Sequence, residues 1–379
     1  LSILFLIRSL HVGGAERQLV ALARELARRG QRVGIATFYA GGELEAELSG
    51  TGIELIPLGK KGRWDVAPFL IRLVSLLRSR RPKVLYSFLP SENIVSALIK
   101  PFTGFLTRVW GVQTAYADLS VFDRIGRLVY WLEAKLSGTA DLVISNSQSG
   151  LDHAVAKGFP KDRMALVGNG IDTARFRPDA AAGKRIRDEY RLGAEHFVVG
   201  TLSRLDPLKD FPTFLKAAAA VSEACPSARF LCVGGGPLEA ELKSAAVGLG
   251  LDDHVIWTGS RRDPEACLNA MDVFCSSSIT EGLSNSIAEA MACGLPSVVT
   301  DVGDSASLVG DSGVVVPAAD AEALAQALIA QVGRKEDGRG ERARARIVAN
   351  FSVERMGERT VSLLLSGSHA IRRQDGEAA

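Results

Sequence analysis

Glu281 and Glu289 stand seven residues apart in the segment EGLSNSIAE (281–289). The residues between them read as the opening of a helix. The stretch ahead of them, DVFCSSSIT (272–280), reads as a buried strand and a polar loop. A strand, a turn and a helix N-terminus form an anion site, because the first amides of a helix are unpaired donors that carry partial positive charge. Carboxylates placed around such a site are not there for a phosphate. They are acceptors, suited to hydroxyls on whatever the phosphate is attached to. A phosphate with hydroxyls on its substituents describes a sugar nucleotide.

Three other loops add to this chemistry. In TLSRLDPLKDFPTFLKA (201–217), Arg204 and Lys209 fall in a strand–helix loop or the first helical turn. Cations there oppose the helix dipole. A bound anion between them and the helix amides would offset that cost; the alternative is a solvated surface pair. In VGGGPLEAEL (233–242), Gly234, Gly235 and Gly236 serve either close approach of a ligand or plain turn chemistry. HVGGAERQLV (11–20) carries Gly13 and Gly14 at the start of a helix, where backbone could approach a phosphate or sugar; a tight strand-to-helix turn explains the pair equally well. The spacing is not GxGxxG, so the dinucleotide fingerprint is absent. Asp252 and Asp253 form an isolated acidic pair that reads as a turn, and no metal site is expected.

Short apolar strands alternating with helical segments must position these loops. In the N-terminal half the strands fall at 3–8, 32–38, 53–58, 83–88, 142–145 and 164–169. In the C-terminal half they fall at 197–202, 229–235, 254–259, 272–277, 296–300 and 313–316, with a helix at 319–332. The pattern implies parallel sheets covered on both faces. Between the halves, GIDTARFRPDAAAGKRIRDEY (170–190) has Gly, Pro and charge but no apolar period, so the linker is placed near 175–190. The expected division is an N-terminal, acceptor-side Rossmann-like domain at 1–175, a nucleotide-sugar-binding Rossmann-like domain at 176–350, and a C-terminal helix and tail at 351–379 that packs back on the first domain. Ligands in such sheets bind at the carboxyl ends of the strands. The charge run GRKEDGRGERARARI (333–347) reads as a solvated helix face or loop, and SHAIRRQDGEAA as a frayed tail.

Composition agrees. A chain of 379 residues suits two domains, and a net charge of +2 gives no general pull toward nucleic acid. Its five cysteines, Cys225, Cys232, Cys267, Cys275 and Cys293, show no CxxC spacing and read as reduced core thiols of a cytosolic protein. The opening LSILFLIR reads as a first strand rather than a signal peptide. The longest apolar run, 94–110, is broken by Lys100, Pro101 and Arg108, short of the ~20 residues of a membrane span.

Taken in order, GGAERQL, SRLDPLKD, VGGGP and EGLSNSIAEAMACGLPSVVTDVG resemble the retaining family 4 glycosyltransferases, bacterial group 1 type, of the GT-B fold. VGNGIDTARFRP (167–178) is similar to that family's interdomain strand and linker, and ADLVISNSQSG (140–150) is also familial. The resemblance implies an α/β GT-B architecture, two doubly wound Rossmann-like domains facing a central cleft. It implies a hexosyl- or N-acetylhexosaminyl-transferase that retains anomeric configuration, needs no metal or other cofactor, and takes a UDP-sugar, with GDP as the alternative base. Glu289 would then accept from the ribose hydroxyls and Glu281 would sit beside the donor sugar. Backbone at Gly282, Leu283 and Ser284 would face the sugar and β-phosphate, and Arg204 and Lys209 would hold the diphosphate. Gly13, Gly14 and Gly235 would line the donor. Many relatives carry a histidine or aspartate near the anomeric centre. The corresponding stretch here, RVWGVQTAYADLSVF (108–122), has no histidine and leaves Gln113, Tyr116 and Asp118, with His11 as a further candidate.

The segment KKGRWDVAPFLIRLVSLLRSRRPK (60–83) holds eight Lys or Arg against one Asp. Val66, Phe69, Leu70, Leu73, Val74 and Leu77 recur at helical spacing, so it reads as a sheet-covering helix with a basic edge. That edge could rest on anionic lipid, at roughly 1 kcal/mol per cation, joined by Tyr130 and Trp131 of VFDRIGRLVYWLEAKL (121–136). The expected protein is cytoplasmic, peripheral at the inner face of the plasma membrane, and acts on a lipid-linked oligosaccharide, lipopolysaccharide or exopolysaccharide precursor. The competing readings are transfer to a soluble sugar or sugar phosphate, a non-catalytic two-domain sugar-binding protein, and phosphorolysis, which would need a pyridoxal lysine for which no motif is present.

Overall fold

Side chains of the first strand, β1 (Ser2–Ile7), alternate between two apolar clusters, Ile3, Phe5 and Ile7 on one face and Leu4 and Leu6 on the other. A strand buried on both faces reads as a continuous apolar run, which is why LSILFLI looks the way it does. The computed structural model describes residues 1–62, 64–113, 123–333 and 337–366. The backbone divides into two units, Leu1–Gly170 together with the segment that starts at Val353, and Ile171–Ser352.

In the first unit, α1 (Gly14–Arg28) leads to β2 (Arg32–Thr37) and β3 (Glu54–Pro57). Next come α2 (Ala67–Arg80), β4 (Val84–Phe88), α3 (Pro90–Leu98), β5 (Thr107–Val112) and α4 (Arg124–Leu136). The run closes with β6 (Leu142–Ser145), α5 (Gln148–Ala156) and β7 (Met164–Leu166). The strands pair in parallel in the order β3-β2-β1-β4-β5-β6-β7. Phe5 is in register with Ile35 on one side and Tyr86 on the other, and its ring lies 5.3 Å from that of Tyr86. Helix α2 covers one face through Phe69, Leu73 and Leu77, as its apolar spacing implied. Val66, expected on that stripe, is the N-cap and is 47% exposed.

Strand β5 was not legible as a strand, because Arg108 and Gly111 interrupt its apolar run. Arg108 is nevertheless buried. Its guanidinium donates to the carbonyls of Thr103 (2.8 Å), Leu106 (3.2 Å) and Ser96 (3.4 Å) and to the Thr103 hydroxyl (2.6 Å). A residue that reads as a break in the sequence is an internal strut.

The second unit begins where a linker was expected. Residues 180–189 are helical, α6 (Ala180–Glu189), capped by Asp179, whose carboxylate accepts from Ala182 N at 2.9 Å. Its contact is narrow, through buried Gly183 and Ile186, so it shows no apolar period. There follow β8 (Phe197–Leu202), α7 (Phe211–Ala224), β9 (Ala228–Val233), α8 (Glu239–Gly248), β10 (Val255–Gly259), α9 (Pro264–Leu268) and β11 (Val273–Ser276). Beyond them lie α10 (Asn285–Ala292), β12 (Ser297–Thr300), α11 (Ser305–Val309), β13 (Gly313–Val316), α12 (Ala321–Ile329) and α13 (Arg339–Asn350). This sheet is also parallel, in the order β10-β9-β8-β11-β12-β13.

The charge run is only partly solvated. In α13, Arg344 donates to the carbonyls of Ala292, Phe176 and Thr173, and Arg346 to those of Ser307 and Leu308. Two of its arginines therefore saturate carbonyls, including one at the end of α10, where a cation complements the helix dipole. The last helix, α14 (Val353–Ser366), packs on α1 in the first unit, adding Met356, Leu363 and Leu364 to that core. The frayed tail at 368–379 lies outside the described residues. All five cysteines are free thiols, four of them buried.

Candidate functional site

In each sheet the strand order reverses once, between β1 and β4 in the first unit and between β8 and β11 in the second. The loops at such a reversal diverge to opposite faces and open a crevice at the strand ends, where doubly wound sheets bind ligands. Lys209 and Glu281 sit on the loops after β8 and β11, at the second unit's reversal.

After β8, the chain runs through exposed Arg204 to Asp206, whose carboxylate accepts from Leu208 N at 3.0 Å and starts a short turn, Pro207–Lys209. Lys209 thus precedes α7 rather than lying in it. Asp210, at a left-handed φ of 46°, caps the helix by accepting from Thr213 N at 3.3 Å. The dipole argument is met by this carboxylate and by Glu281, whose Oε1 accepts from Lys209 Nζ at 2.5 Å. The two side chains, expected at different parts of a ligand, are paired with each other and largely shielded, at 23% and 12% exposure.

The loop after β11 is tied into the same place. Ser278 Oγ donates to Glu281 Oε1 at 2.7 Å, Ser277 Oγ donates to the Lys209 carbonyl at 2.8 Å, and Ile279 N donates to the Leu208 carbonyl at 3.0 Å. Thr300, at the end of β12, donates to the Ser278 carbonyl at 2.6 Å. Gly303 completes the clamp. At φ +54° it lies where a Cβ would come within 2.0 Å of the Glu281 carbonyl, and the next amide, Asp304 N, donates to the Gly282 carbonyl at 3.1 Å. Leu283 and Ser284 are buried, and Ser284 is the N-cap of α10. Its side chain makes no cap hydrogen bond to the backbone. Glu289 stands one turn into α10 and is half-buried.

The glycine loop after β9 is joined to the loop after β8. Leu205 N donates to the Gly235 carbonyl at 3.1 Å and Ser203 N to the Val233 carbonyl at 3.0 Å. Gly234, at φ +135°, is packed so that a Cβ would meet the Ser203 carbonyl at 1.9 Å. The second unit therefore gathers Arg204, Lys209, Gly235, Glu281, Gly282, Leu283 and Ser284 on loops at one end of its sheet, with Glu289 in the helix α10 that follows.

The remaining candidates lie in the first unit. Gly13 is the N-cap of α1, with Gly14 its first residue, in extended backbone (φ −151°) that any residue adopts. His11 is exposed, its Nδ1 lying 3.2 Å from Glu43, which also accepts from Val12 N at 3.2 Å. Gln113 follows β5 and lines a small interior cavity with Gln18, Asn169 and Thr360. Tyr116 and Asp118 lie outside the described residues.

Sequence reading missed two acids of the first unit that are buried without a cationic partner. Glu92, opening α3, is fully buried and is pushed up to about 8 by that burial, its Oε2 accepting from the Ser91 hydroxyl at 2.7 Å. Glu133 of α4 is pushed up to about 7 by burial, against the opposing hydrogen bond from Asn93 Nδ2 at 2.7 Å. The only sequence signal was a lone acid in an apolar frame, LPSENIV and YWLEAKL. Among the described residues, no group of three or more His, Cys, Asp or Glu is placed to hold a metal ion, and no helix is long and apolar enough to cross a membrane.

Residues 12–175 match a family model described as Glycosyltransferase Family 4, and residues 196–333 one described as Glycosyl transferases group 1. The GDP-mannose-dependent α-(1-6)-phosphatidylinositol monomannoside mannosyltransferase of Mycolicibacterium smegmatis is 32% identical over 51% of this chain and 53% of its own. The UDP-Gal:α-D-GlcNAc-diphosphoundecaprenol α-1,3-galactosyltransferase of Escherichia coli is 26% identical over 69% of each. The chain spans about half the length of the first curated relatives it matches, 53% of two and 46% of a third. Anabaena HepE, solved in complex with UDP-glucose, superposes with a TM-score of 0.84 at 23% identity, over 96% of this chain and 99% of its own. With the two parallel Rossmann-like sheets, that likeness assigns the GT-B fold.

Proposed function

Because the chain carries a glycosyltransferase family 4 domain followed by a glycosyltransferase group 1 domain on a GT-B fold, we propose that it moves a sugar from a nucleotide diphosphate sugar to a cell-surface glycan precursor. The observation that carries this reading is the convergence of Lys209, Glu281 and the N-terminus of α10 at the second unit's strand-order reversal. The diphosphate would lie against Lys209, Arg204 and the backbone at Gly282–Ser284, the sugar beside Glu281, and the ribose hydroxyls on Glu289.

The reaction breaks the bond from the sugar's anomeric carbon to the β-phosphate oxygen and forms one from that carbon to the acceptor oxygen. In a retaining, front-face course the acceptor's proton passes to the departing phosphate, so no protein nucleophile is required. Charge grows on the β-phosphate as the bond breaks. Fixed donors and cations stabilise it, each contributing on the order of 10²–10³ in rate. This course asks for no metal.

The nucleotide is the first thing to test, by thermal shift of the protein with UDP, GDP, ADP and CMP, with magnesium and with EDTA. A nucleotide at 100 times its dissociation constant adds about 2.7 kcal/mol to the stability of the folded form. The expected result is a shift with UDP that EDTA leaves in place; a shift with GDP alone would change the base. A folded sample that responds to none of the four would sink the reading in favour of a sugar-binding protein without nucleotide chemistry.

The expected acceptor is lipid-linked, and the expected location is the inner membrane face. Supporting this are the basic residues around α2 beside exposed Trp64 and Ile71. Some of those cations are already engaged, Arg72 with Asp65 and Arg80 with Glu54, both at 2.6 Å. The pair at Arg80 is solvent-exposed and contributes little to stability, so charge reversal at Arg78, Arg80 and Arg81 is a fair test. The parent should sediment with phosphatidylglycerol-containing liposomes at low salt and be released at high salt, and the triple reversal should stay in the supernatant. Equal sedimentation of both would leave the basic edge a solvated surface and favour a soluble sugar or sugar-phosphate acceptor.

A further inference from the structure

Helix α4 leaves part of its apolar surface uncovered. Its apolar residues Ile125, Leu128 and Trp131, spaced to share one side of the helix, are 57%, 53% and 55% exposed. On the other side it buries a carboxyl, Glu133, held by the Asn93 amide at 2.7 Å. Alongside, between α4 and α5, is a cavity of about 170 Å³. Its walls are apolar at Val112, Trp131, Ala134 and Phe159, and its polar side chains are Tyr130, Glu133, His153 and Lys157.

The chemistry of the walls narrows the occupant. Pockets for drug-sized ligands run to about 300–1,000 Å³, so this space is small for a nucleotide and suits a slim chain. Glu133 is committed to Asn93, and its burial raises it to about 7. Burial, with Lys157 nearby, lowers His153 and so favours its neutral form. Lys157 is exposed and has no carboxylate partner among the described residues. An apolar slot with a cation at its rim complements an apolar chain that ends in an anion.

We propose that the space between α4 and α5 binds the chain of a single lipid phosphate, with the hydrocarbon against Val112, Trp131, Ala134 and Phe159 and the phosphate at Lys157. The proposal rests on the lipid-linked-acceptor reading and gives that acceptor's chain a seat separate from the nucleotide loops of the second unit.

The test is calorimetric titration of the full chain with decyl phosphate below its micelle concentration, beside decanol and inorganic phosphate. Decyl phosphate should bind at least tenfold more tightly than decanol, and inorganic phosphate should not compete with it. Ala134→Trp, which fills the space from a partly exposed position, should weaken decyl phosphate at least tenfold. Lys157→Glu, at an exposed position, should abolish the preference for decyl phosphate over decanol. Both variants should keep the parent's melting temperature and nucleotide response. Absence of decyl phosphate binding, or unchanged binding in Ala134→Trp, overturns the site, as does adsorption to anionic vesicles without decyl phosphate binding. A protein that binds decyl phosphate but no nucleotide keeps this site and loses the transferase reading, and the converse loses only the site.

Discussion

If the proposed reaction is right, Lys209→Ala should transfer sugar on the order of 10²–10³ times more slowly than the parent, with most of the loss in turnover. Lys209 is a cation fixed at the strand-order reversal, and the departing nucleoside diphosphate would need it most as charge grows on the β-phosphate. The substitution also removes the partner of Glu281, leaving that carboxylate with the Ser278 hydroxyl. Breaking a fully buried pair costs about 3–5 kcal/mol. Here both groups keep some contact with water, at 23% and 12% exposure, so solvent screens the loss and the fold survives. The double variant Lys209→Ala with Glu281→Gln separates the two effects in a steady-state assay. If the missing cation is at fault, removing the orphaned charge restores nothing; recovery in the double variant would make Lys209 a structural counter-ion.

Glu289→Ala acts on the ground state instead. A hydrogen bond to a charged acceptor is worth about 1.5–3 kcal/mol, so losing the ribose contact should raise the nucleotide-sugar KM roughly 10- to 150-fold with a smaller change in kcat. The thermal shift given by the free nucleotide should shrink in step, because the ribose is present there too. Glu289 is half-buried on a helix whose packing is carried by Ile287, Ala288, Ala290 and Met291, so the truncation leaves the apolar contacts in place. An unchanged KM together with an unchanged nucleotide shift would move the ribose site elsewhere.

What could be read from the chain depended on whether the signal was local. The alternation of Ile3, Phe5 and Ile7 against Leu4 and Leu6, and the stripe Phe69, Leu73 and Leu77, state their own burial. The sheets therefore followed from periodicity, apart from β5, where an arginine whose partners are carbonyls looks like any exposed arginine in sequence. Helix α6 and the struts of α13 were obscured for the same reason: Gly183 packs against the Asn269 carbonyl, and Arg344 donates to carbonyls more than 50 residues away. The loops bearing Lys209 and Glu281 were visible from residue type and spacing. Their pairing across 72 positions was not, nor were the roles of Ser278, Thr300 and Gly303, because a hydrogen bond between strand-end loops leaves no trace in either loop alone.

The return of α14 to the first unit has a bearing on how the chain is made. Residues 171–352 form a contiguous body that can close as soon as they leave the ribosome, whereas the N-terminal sheet, though synthesised first, lacks Met356, Leu363 and Leu364 until the whole second unit has been made. Domains generally fold as units as they emerge. Here the earlier half must wait with one side of α1 uncovered while the later half is completed, so the order of synthesis and the order of completion are opposite.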